Sequence, residues 1–309
     1  MKPLTKLIER YVKYLNDEEF MFKTGMGLKF LGVSVFCLLS VLLFTYLLIR
    51  IDLIFFVANG FPGVDAFENA FYDYIYSSFS DELLWVLLGC ASTFFLGYYL
   101  SGVMIRPFKA IGLHCDDKIN NKDNFYAPDF FSDLKLLTSF SVFFFTKIDE
   151  STIRGKLTSV DIPASYKGIH KPNFEKNFFL NYLFIIIIFA LLSTLGIVLL
   201  NMEIRDHVTE LSRKFLSGNK QATYFLDEQF VIADIAVYFF TSLHLMLYFL
   251  LGVHLYHKVA TPAFAVFATM RSFLKGNHHN RIHLIGYYYL RNDCRKINKY
   301  LDHVQKNLT

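Results

Sequence analysis

Between Ile51 and Glu82 the chain has no lysine or arginine, although the same stretch holds Asp52, Asp65, Glu68, Asp73, Asp81 and Glu82. Basic residues are retained on the cytoplasmic side of short membrane loops, so this absence assigns the stretch to the outer side. Cysteine is scarce: Cys37, Cys90, Cys115 and Cys294 all fall outside 51–82 and 201–230, which leaves neither outer segment able to form a structural disulfide. Proline is missing from every long apolar run, which argues against the broken helices of many secondary transporters. There is also no Gly-rich phosphate loop, nucleophile elbow, HExxH or kinase signature. The expectation is therefore a protein that is not an enzyme and uses no cofactor.

What is present is apolar length. Of 309 residues, 54% are hydrophobic and 19% charged, and the apolar ones come in blocks that exclude a soluble domain. Leu28–Arg50, Leu83–Ile105, Phe178–Leu200 and Val231–Leu255 each reach the ~20 helical residues that a ~30 Å hydrocarbon core requires. The first run follows 27 mixed polar residues without a small-residue cleavage site, so it is expected to be retained rather than removed as a signal peptide. Lys2, Lys6, Arg10, Lys13 and Lys23 precede it, the segment from Arg106 to Asn177 is basic again, and so is the tail from His257. Four spans with both termini cytoplasmic follow. The loop Asn201–Phe230 carries both signs, and its outer location rests on the even number of spans. The net charge of +4 follows from this topology, with a lipid bilayer as the partner and no nucleic acid.

The chain also resembles itself. Phe94, Leu96, Gly97, Leu100 and Pro107 recur 155 positions later as Phe249, Leu251, Gly252, Leu255 and Pro262. A shorter echo links Phe36, Leu38, Leu39, Ser40 and Leu42 to Phe189, Leu191, Leu192, Ser193 and Leu195. The expected fold is an all-α membrane protein of two parallel repeats. Its segments are 1–27, an amphipathic helix; 28–105, a first transmembrane hairpin; 106–147, a first cytoplasmic helical pair; 148–177, a linker; 178–256, a second hairpin; and 257–309, a second helical pair. Apolar Leu4, Leu7, Ile8, Tyr11, Val12 and Leu15 suit the first segment either to the inner membrane surface or to packing on the rest of the protein.

After the fourth span, Val259, Ala263, Val266, Met270 and Phe273 alternate at spacings of four and three, which is a heptad seam. Gly276 stops that helix, a polar connector runs from Asn277 to Tyr289, and Leu290, Cys294, Ile297, Leu301 and Val304 form a second seam. A fainter copy follows Pro107, with Phe108, Ile111 and Cys115, then Phe130, Leu134, Leu137, Ser141 and Phe144; Asn121 stands where the glycine would be, and Ser132-Asp133 matches Asn292-Asp293. Two seamed helices cannot bury their apolar faces without a second pair, which a homodimer or the other half of the same chain would supply.

This arrangement resembles the HAMP domain, the parallel four-helix relay just inside the membrane in chemoreceptors and sensor kinases. Pro262 sits at the family's first-helix proline, Gly276 at its glycine, Asn292 with Asp293 at its usual Asp-Glu, and Asp302 at its usual Asn; Pro107 and Asp133 are the first-half equivalents. The resemblance implies a signal-transducing, receptor-like protein of a bacterial inner membrane, relaying motion from the spans to a separate protein partner. Because the second seam runs up to Thr309, no output domain is expected within the chain. The alternatives are a structural subunit of a cell-envelope assembly and, on the strength of His244, Ser92, Thr93 and Ser193, a small transporter or channel.

Two residues stand apart as an intramembrane polar site. His244 lies mid-span beside Thr241 and Ser242 and reads either as a functional ionisable group or as a neutral imidazole bonding between helices. Asp234, a turn into the same apolar run, suits an interfacial or capping role. His278, His279 and His283 near Cys294 lack any recognised metal-ligand spacing, so no metal is expected.

Overall fold

The computed structural model of the protein describes residues 17–122, 125–128, 134–169, 176–216 and 220–308. Of these, 86% are helical and none is in a strand. Four long helices carry the apolar runs: α1 (Glu18–Ala58), α2 (Val64–Ile119), α5 (Lys176–Leu216) and α6 (Lys220–Leu274). Between them lie α3 (Lys135–Arg154) and the short α4 (Ala164–Lys167), and a 3-10 turn (Tyr288–Leu290) leads into α7 (Arg291–Leu308).

Each of the four long helices is apolar and long enough to cross a membrane, so the protein is of the multi-pass kind. Their outward residues agree: Leu43, Leu84, Phe184, Ile235 and Phe239 are between 59% and 65% exposed. In water each such side chain would forgo about 1.5–3 kcal/mol of burial, a cost that hydrocarbon removes.

The start of α1 corrects one expected boundary. The Asp17 carboxylate accepts from the backbone N–H groups of Glu19 (3.0 Å) and Phe20 (3.2 Å), capping the helix there. Residues 18–27 thus open the first long helix instead of closing a separate amphipathic one. The remainder of that expected element, residues 1–16, lies outside the described residues.

The chain packs as two units. One comprises Gly27–Leu96 and Phe184–Leu251. In it the expected outer loops are helical: α1 runs on to Ala58, a short turn carries Gly60 and Gly63 at positive φ, and α2 starts at Val64. Ile49, Leu53 and Phe56 from α1, Phe67 and Phe71 from α2, and Val208, Leu226 and Phe230 from α5 and α6 share one apolar core. The acidic composition of 51–82 hid this because Asp65, Glu68 and Asp73 fall between the core positions Val64, Phe67 and Phe71 and beyond them at helical spacing, while Asp52 is itself buried. A second cluster within the spans joins Cys37, Val41, Ile197 and Val237.

The other unit takes the described residues up to Met26, those of Gly97–Leu183 and those of Gly252–Thr309. Here the ends of α2 and α6 pack with α3 and α7. Val259, Ala263, Val266, Met270 and Phe273 are buried, as are Phe108, Ile111, Cys115, Leu137, Ser141, Phe144, Ile297 and Leu301. Ring contacts tie the helices: Phe140 meets Phe267 at 4.6 Å, Phe144 meets Phe273 at 6.3 Å, and Phe145 meets Tyr300 at 5.8 Å. A single chain thereby buries the described residues of the four seams; Phe130 lies outside the described residues.

The segment expected as a free linker, 148–177, is partly helix and partly a fixed strap. α3 continues to Arg154 and stops at Gly155 in the left-handed region. The Leu157 N–H then donates to the Leu308 carbonyl (3.2 Å) and that of Val160 to Leu274 (2.9 Å). Arg271 on α6 donates to the carbonyls of Tyr166 (3.0 Å) and Ile169 (2.8 Å).

Candidate functional site

Pro262 lies inside α6, not at the start of a new helix, and Pro107 likewise lies inside α2. An interior proline has no N–H to give the carbonyl four residues back, which here is Lys258. The Tyr289 hydroxyl donates to that carbonyl at 2.6 Å. Tyr289 is buried, its ring stacked on Phe22 of α1 at 3.8 Å and 17°. Burial, with Tyr287 and Tyr288 alongside, pushes its phenol well up, so it remains a donor. Aromatic burial thus fixes the start of α1, the connector and the Pro262 turn at one point.

Gly276 ends α6 with φ 101°, its N–H donating to Phe273 (3.1 Å) while the next, Asn277, donates to Ser272 (3.1 Å). Asn121 ends α2 in the same way, with φ 53° and bonds from its own N–H to Lys118 (3.3 Å) and from Lys122 to Asp117 (3.0 Å). Both are Schellman closures with the left-handed residue at the position that favours glycine, then asparagine. The first half therefore keeps the stop without the glycine.

Asp293 and Asn292 occupy the first turn of α7 but differ in environment: Asn292 is exposed and Asp293 is buried. Asp293 lies against Gly112 of α2, where a Cβ would come within 3.0 Å of the carboxylate Oδ1 and 3.2 Å of the Asp293 Cα. Gly112 is what lets α7 approach. Burial raises the Asp293 carboxyl above its ordinary range, with Lys296 and Lys109 opposing and Glu19 adding to the rise. Asp133, the first-half equivalent, lies outside the described residues.

The connector is docked. Asn298 on α7 accepts from the Ile282 N–H (2.8 Å) and donates to its carbonyl (3.0 Å). Arg281 reaches Asp302 (2.6 Å) and Gln305 (2.7 Å). The connector histidines serve locally: His278 packs on Phe273 and His279 meets Gln305 at 3.0 Å. Cys294 is buried, which pushes its thiol up to about 12.

In the unit of the spans, His244 is fully buried and its Nδ1 lies 2.9 Å from the Thr194 hydroxyl, joining α6 to α5. Its Nε2 meets no hydrogen-bond partner among the described residues. One turn on, the Tyr248 hydroxyl donates to the Phe30 carbonyl (3.0 Å), so it accepts from Ser34 at 2.7 Å. Ser34 and Ser193, with Ser92 and Thr93, line a cavity of about 460 Å³ open along the spans. His244 is not among its lining residues. Asp234 does not cap a helix, since α6 begins at Lys220; it pairs with Arg205 of α5 at 2.7 Å.

Sequence reasoning missed Tyr289, Phe22, Gly112, Arg271 and Asn298. A tyrosine-rich connector was visible, but nothing local indicates that one of its hydroxyls meets the carbonyl behind a proline 27 positions earlier. Set against protein-family models, curated proteins and solved structures, the chain matches none of them.

Proposed function

We propose that this protein is a membrane signal relay or regulator, which couples four transmembrane helices to two HAMP-like helical pairs and acts on a separate protein partner. On this reading the two halves are parallel copies of one unit, each standing in for one subunit of a relay dimer. Its place is a bacterial inner membrane, with both termini cytoplasmic. The basic flanks from Arg106 and His257, against the carboxylate-rich 51–82, support that orientation.

The observation that carries the reading is the matched helix ending. Asn121 and Gly276, each 14 residues beyond an interior proline, close their helices with the same pair of backbone bonds, and the seams on either side are buried together. Two such packed pairs could exchange between discrete arrangements, as a relay requires.

An in-cell cysteine cross-linking scan on a cysteine-free background tests it, pairing Ile111 and Leu137 with Val266 and Ile297. Cross-links within one chain are expected. Failure of these pairs, with cross-links to another protein instead, would move the assignment to a structural subunit of an envelope assembly. Partner capture with Pro262→Ala, Gly276→Ala and Asp293→Asn tests the signalling half, and partner binding and phenotype unchanged in all three would end it.

A further inference from the structure

A groove of about 380 Å³ opens beside α1 and α2, where Tyr98, Tyr99 and Gly102 of the second span give way to Arg106 and Lys109. Glu19 and Lys23 at the start of α1 form its other wall. We infer that this groove binds the phosphate of an anionic membrane lipid, with the headgroup on the basic residues and the acyl chains along the tyrosine end.

Charge comes first. Lys23, Arg106 and Lys109 face one lining carboxylate, Glu19, which pairs with Lys23 and lies 3.2 Å from Lys109. A second carboxyl that senses Lys109, Asp293, is disfavoured in its charged form by burial. Arg106 is exposed and has no ion pair among the described residues, so its guanidinium is available for two-pronged contact with a phosphate.

Shape and position come next. Gly102 makes the room: a Cβ there would come within 3.3 Å of the Lys23 Cε, so a larger residue would have to displace that stem. Tyr99 is 61% exposed at the apolar end, the amphipathic ring that membrane boundaries favour. The basic end adjoins the last residues of an apolar span, the depth of a lipid phosphate and not of bulk solution. This inference depends on the spans alone, so it stands or falls separately from the relay reading.

The test uses the full-length protein in nanodiscs of phosphatidylcholine, with or without phosphatidylglycerol, and native mass spectrometry to count retained lipid. Arg106→Gln is compared with Lys299→Gln, an exposed cation on α7 outside the groove. The expected result is preferential retention of phosphatidylglycerol, weakened about tenfold by Arg106→Gln and unaffected by Lys299→Gln. Unfolding temperatures in lipid-free detergent, equal for both variants, exclude misfolding. Millimolar inorganic phosphate identifies the source: no displacement supports a lipid, whereas phosphate-dependent stabilisation lost in Arg106→Gln supports the same site with a soluble phosphate ligand. Equal losses in the two variants, or no preference for either phosphate source, would overturn the site.

Discussion

The Tyr289 hydroxyl stands 2.6 Å from the Lys258 carbonyl, the group that Pro262 deprives of its helical donor. A buried carbonyl without a donor costs about 1–3 kcal/mol, so Tyr289→Phe should destabilise by roughly that amount. Pro262→Ala restores a backbone N–H to Lys258, and in that background Tyr289→Phe should cost clearly less. A double-mutant cycle from thermal unfolding in detergent measures the difference; additive losses would refute the pairing.

Asp293 gives a pH dependence whose sign is fixed by burial. Its carboxyl titrates above the ordinary value when folded. Below that ordinary value it is protonated in both states. As pH rises toward the folded value, only the unfolded chain ionises, so stability falls, and the loss is complete above the folded value. Asp293→Asn should therefore be more stable than wild type at neutral pH, with the gap closing in acid. Unfolding temperatures measured from pH 3 to pH 8 for both proteins check this.

Gly63 and Gly60 separate backbone strain from collision in the α1–α2 turn. Both have positive φ, 82° and 63°, but a Cβ on Gly63 would strike the Phe215 carbonyl oxygen, whereas on Gly60 it meets nothing within 4 Å among the described residues. Gly60→Ala should cost about 1 kcal/mol and Gly63→Ala at least about twice that. Denaturant titration in mixed micelles distinguishes them.

The helix ends at Asn121 and Gly276 should respond in opposite directions. Asn121→Gly relieves a left-handed asparagine and should stabilise by about 0.5–1 kcal/mol. Gly276→Ala should lose about 1 kcal/mol through backbone strain, because among the described residues only Ser159 comes near the new methyl, at 3.9 Å. Hydrogen exchange at Lys122 and Asn277 reports each closure directly.

The all-helical class and the four membrane-length helices could be read from the sequence, because apolar run length and helical spacing are local properties. The residues read as seams are buried for the same reason: Val266, Met270, Ile297 and Leu301 recur at a spacing that only one helix face satisfies. In 51–82 the acidic composition masks a helical periodicity that is nonetheless present. Gly60, Pro62 and Gly63 marked the turn, and Phe67 and Phe71 marked the helix after it.

Partners distant in sequence belong to the tertiary structure. Ser34 and Tyr248 are 214 positions apart, Arg271 and Ile169 102 apart, and neither member of either pair announces the other. His244 could be flagged as a buried polar group, but its bond to Thr194 depends on how two helices are rotated against each other. The closeness of α7 to α2 is likewise set by a missing side chain, Gly112 opposite Asp293. Sequence determined which surfaces must leave water; packing decided which polar atoms met once they had, since that choice depends on helix rotation and register and no local pattern encodes either.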